Sequence, residues 1–90
     1  MPVIARFYGI IIKMYFQQSE HNPPHFHAVY GEYVGAFDIV TLEMIEGDLP
    51  AKGQALVREW AIRYQQELQK IWDTQEFKKD AIIVDVGINR

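Results

Sequence analysis

The chain has 90 residues, no cysteine and a formal charge of −3. It therefore holds one domain at most, and disulfides, thiolate-bound metal and a thiol nucleophile are excluded. A hydrophobic fraction of 49% and an aromatic fraction of 13% describe a chain that buries a core rather than a disordered one.

The nine Lys and Arg residues are scattered, and the densest like-charge stretch is acidic: Glu43, Glu46 and Asp48. That pattern argues against duplex nucleic acid held by charge alone, because counterion release needs clustered cations. The start, Met1-Pro2-Val3-Ile4-Ala5-Arg6, lacks the basic and long apolar regions of a signal peptide. The run from Gly9 to Ile12 is far too short to span a bilayer. A cytoplasmic protein with no membrane contact is the expectation.

Phe7 to Phe16 reads as one strand with two largely apolar faces, central in a sheet. Gln17 to Pro24 is a polar connector ending in the rigid Pro23-Pro24 pair. His25 to Tyr30 and Tyr33 to Val40 read as a hairpin about Gly31-Glu32, a two-residue loop with glycine first that suits the II′ turn. Such a turn fixes the register. Tyr30 should face Tyr33, Val29 Val34, Ala28 Gly35, His27 Ala36, Phe26 Phe37, and His25 Asp38. Thr41 to Glu46 is a candidate short strand closed by Gly47.

Ala51 to Trp72 reads as the main helix, with Asp48 as its cap and Pro50 in its first turn. Leu56, Val57, Trp60, Ala61, Tyr64, Leu68, Ile71 and Trp72 form one wide apolar stripe. Ile62 alone interrupts the polar face, either as a partner contact or as an ordinary exposed residue. Residues 81–86 form a β-like run able to add an edge strand to this sheet or to another copy. The expected architecture is α+β: a small antiparallel sheet of three to four strands packed against one long helix in the C-terminal half, in a single domain over residues 1–90.

All three histidines fall in His21-Asn22-Pro23-Pro24-His25-Phe26-His27-Ala28. On a strand His25 and His27 point the same way, roughly 6–7 Å apart, and the hairpin register sets Asp38 across from His25. Two imidazoles and a carboxylate on one face can hold Zn, Ni, Fe or Mn, with His21 as a fourth ligand. The same pair can serve as catalytic base and acid toward a phosphodiester. That chemistry needs a cation for the developing charge, for which Lys13 and Arg6 are candidates that the sequence alone does not place. The plainer reading makes His25–Asp38 an ordinary cross-strand pair and His27 a half-buried filler.

These residues also resemble something known. Arg6-Phe7-Tyr8-Gly9-Ile10, Met14-Tyr15, the His21–Ala28 string, Tyr30-Gly31-Glu32, Leu49-Pro50, Glu59-Trp60 and Trp72 are similar to a bacterial family of small domains of unknown function, over about residues 1 to 72. The resemblance implies a small bacterial protein, often encoded beside another small domain in pairs that look like toxin–antitoxin operons. It implies no activity, and it carries over His21, His25 and His27 as signature residues without roles.

Two function classes lead. One is a protein-interaction component of a toxin–antitoxin-type pair, whose acidic balance suits a basic partner, with a small neighbour-encoded protein or a second copy bound. The other is a metal-dependent or histidine-based enzyme, such as an RNase toxin, acting at His25, His27 and Asp38.

Overall fold

The computed structural model describes residues 3–14 and 23–74. Tyr8 and Gly9 both have positive φ, 50° and 79°, as the two-residue I′ hairpin loop demands. The apolar run from Phe7 is therefore not one strand. It is two, β1 (Val3–Phe7) and β2 (Ile10–Lys13), folded back on each other. Register slips by one residue between Val3 and Ala5, leaving Ile4 as a bulge.

β3 (His25–Tyr30) and β4 (Tyr33–Asp38) form the expected hairpin, with all six expected pairs from Tyr30–Tyr33 to His25–Asp38. Gly31 has φ of 64°, the positive value that the first position of a II′ turn requires. β5 (Met44–Gly47) lies beside β4, again with a bulge. The five strands run antiparallel in sequence order, β1-β2-β3-β4-β5. The architecture is the expected α+β, with one strand more than expected because Tyr8-Gly9 splits the first.

α1 spans Ala51–Thr74. The carbonyl of Pro50 accepts the N–H of Gln54 at 2.9 Å, so Pro50, not Asp48, takes the cap position. The helix lays its stripe on one sheet face. Ile10, Ile12, Phe26, Ala28 and Phe37 are buried there with Val57, Trp60, Ala61, Leu68 and Ile71. Trp60 is the centre: Phe7 stacks on it at 5.2 Å and Phe26 meets it edge-on at 6.1 Å, geometries that add to the area effect.

Tyr64 departs from helical geometry (φ −116°, ψ 20°), so α1 bends there. Just beyond the bend, Gln65 Nε2 donates to the carbonyls of Ile39 (2.7 Å) and Val40 (2.9 Å), tying the helix to the end of β4. No described helix is long and apolar enough to cross a membrane. His21 and the 81–86 run lie outside the described residues.

Candidate functional site

Pleating sends alternate residues of β3 to opposite faces. Phe26 and Ala28 go to the helix; His25, His27 and Val29 go to the far face. Strand pairing then builds two rows there. Lys13, His27, Ala36 and Glu46 are successive partners across β2, β3, β4 and β5. Arg6, Ile11, Val29 and Val34 are successive partners across β1, β2, β3 and β4.

The first row places groups that sequence reasoning left unplaced. Lys13 stands directly opposite His27. The link between them runs from Met14 to Pro24, and no short turn signal announces that register. Glu46 sits two strands from His27 with only Ala36 between. Burial, first, and the neighbouring His25, second, hold the His27 imidazole below its ordinary value, while Glu46 pulls it up. Plain alternation would set Glu46 on the side of Leu42 and Met44; the bulge between Met44 and Glu46 turns it to the histidine face instead, and no sequence signal announces that bulge.

His25 is nearly buried at 7% exposure. Its Nδ1 donates to the carbonyl of Pro23 at 2.8 Å; a carbonyl only accepts, so this nitrogen carries the hydrogen. The ring lies 5.3 Å from His27 and 5.1 Å from the indole of Trp72. The bend at Tyr64 precedes this last stretch of helix, which reaches the end of β3.

Asp38 faces His25 as expected, but its carboxylate serves the following turn. Oδ1 accepts the backbone N–H groups of Val40 at 2.6 Å and Thr41 at 3.0 Å. The carbonyl of Asp38 accepts from Leu42 N, and its own N–H donates to Glu43 O. Leu42 there adopts a left-handed φ of 63°. Among the described residues no group of three or more His, Asp or Glu is placed to hold a metal ion. His21, the fourth candidate ligand, lies outside them.

A second feature lies at the edge joining β4 to the helix. Ile62 and Val40 keep 66% and 65% of their surface exposed, the highest values among the large hydrophobic side chains described. Gln65 grips the Val40 carbonyl, and Ile62 lies in the same helix just before the bend at Tyr64. Both aliphatic side chains are exposed, Val40 on the loop that Gln65 ties to the helix and Ile62 on the helix itself, and Glu43 is exposed on the Val40 loop.

A family model described as "Domain of unknown function (DUF4160)" matches residues 9–73. The chain belongs to this family. The DUF4160 match spans β2 to the last turn of α1, and so includes His27, Lys13, Glu46 and the Val40–Ile62 edge. No curated protein matches the chain, and no solved structure does.

Proposed function

We propose that this DUF4160 chain is the partner-binding component of a two-protein, toxin–antitoxin-type pair of the bacterial cytoplasm, and that it holds its small neighbour-encoded partner at the Val40–Ile62 edge. The observation that carries this reading is the exposure of those two side chains, on the helix and on the loop it is tied to. Leaving two aliphatic residues in water forgoes a few kcal/mol of burial, a loss that a bound partner recovers. Glu43 on the Val40 loop and the net charge of −3 suit a basic partner. Co-expression with the protein of the adjacent gene tests it. The two should co-purify, and Val40→Asp/Ile62→Asp should abolish the complex while leaving the melting temperature close to wild type.

A second reading rests on Lys13. Its place opposite His27 supplies the cation that histidine acid–base chemistry on a phosphodiester requires, with His25 as the second imidazole. Incubation with RNA tests this reading. Cleavage that is lost in His27→Ala supports it, and intact RNA with wild-type protein ends it.

A further inference from the structure

β5 ends the sheet on its side among the described residues. Its printed bonds run one way: Glu43 O accepts from Asp38 N, and Asp48 N donates to Val34 O, both toward β4. Successive strand residues bond to opposite sides, so a second row of N–H and C=O groups faces outward, where no described strand lies. From Glu43 to Asp48 every residue except Met44 is exposed. Three of these are acids, Glu43, Glu46 and Asp48, and Ile45 among them keeps 49% of its surface in water.

We propose that this edge takes up an extended, basic segment of the neighbour-encoded partner as an added strand, one in which Lys or Arg alternates with aliphatic residues. The inference rests on the partner-binding reading above and names the chemistry of what is bound. In strand addition, main-chain hydrogen bonds supply the affinity and side chains at alternate positions supply the choice. The chain from Val40 to Glu43 leads directly into β5, so the added strand and the Val40 contact belong to one interface.

Charge decides between this occupant and a second copy. Two β5 edges paired about a two-fold axis set the acids of one copy against those of the other, and like charges across a strand pair are destabilising. β5 is also only four residues long and bulged, features that keep an edge from pairing indiscriminately. A basic strand meets the same acids as attractions. One set of side chains thus repels a copy and admits the partner.

The test is amide hydrogen exchange, read by NMR, on the full chain alone and in complex with the co-expressed neighbour-encoded protein. On binding, the outward-facing amides of β5 should slow by about tenfold or more, because they gain hydrogen-bond partners. Glu43→Lys/Glu46→Lys should weaken the complex by about tenfold or more while keeping the wild-type circular dichroism. A complex in which the β5 amides exchange as fast as in the free chain overturns the strand addition and leaves the partner-binding reading standing. So does a complex indifferent to Glu43→Lys/Glu46→Lys. Absence of any complex between the wild-type proteins overturns both.

Discussion

The imidazole of His25 lies 5.1 Å from the indole of Trp72, so the first residue of β3 and the last turn of α1 form one packed unit. This contact closes the end of the sheet and keeps His25 nearly out of water. Trp72→Ala should destabilise the fold by about 2 kcal/mol, below the ~3–5 kcal/mol of a fully buried aromatic, because Trp72 is half-buried. It should also shift the His25 and His27 ring resonances. Trp72→Phe should retain most of the stability. Urea denaturation with histidine NMR checks this, and unchanged histidine signals in Trp72→Ala would contradict the contact.

Asp38 organises the β4–β5 turn through two backbone N–H groups. Asp38→Ala leaves them without that acceptor and should cost about 1–2 kcal/mol. Asp38→Asn keeps an acceptor oxygen and should cost less. Because the carboxylate is engaged locally, the same differences should appear with added zinc and with a chelator. A stability gap between wild type and Asp38→Asn that opens only on metal addition would return Asp38 to the role of ligand.

How much of this was legible follows from where the chain makes its turns. Gly31-Glu32 is short and explicit, so all six pairs from Tyr30–Tyr33 to His25–Asp38 could be written down in advance. Tyr8-Gly9 is hidden in the sequence because Tyr8 continues an apolar run and few bulky residues take positive φ; Gly9 is the one cue to the turn. The engagement of Asp38 was concealed for another reason. Pairing specifies which residues oppose one another, not whether a short carboxylate turns to its own backbone, as Asp often does. Lys13 beside His27 depends on a long connection and needed the structure.

Tyr8 offers a stability test of the corrected strand boundary. It holds a left-handed φ of 50° with an exposed ring. Asn tolerates that conformation far better, and Asn-Gly is the preferred I′ pair. Tyr8→Asn should stabilise the protein by about 0.5–1 kcal/mol, or raise the melting temperature by a few degrees. A lower melting temperature would count against a hairpin at this point.

Stability should fall with acid through His27. Burial and His25 hold its imidazole below the ordinary value, against the pull of Glu46. Above about pH 6.5 the ring is neutral in both folded and unfolded chains. As pH falls below that, the unfolded chain takes up a proton that the folded chain resists, so stability is lost until the lowered folded value is also passed. The His27→Gln chain should lose less stability than wild type between pH 7 and pH 5. Equal losses would show that His27 is not depressed. In Glu46→Gln, NMR should find the His27 midpoint lower still.

The most direct test of the central claim, that this chain is a partner-binding component, is light scattering on size-exclusion chromatography after co-expression with the neighbour-encoded protein. The two wild-type proteins should elute as a stable complex that Val40→Asp/Ile62→Asp dissolves into folded components. Separate elution of the two wild-type proteins, or a complex indifferent to both substitutions, would contradict it.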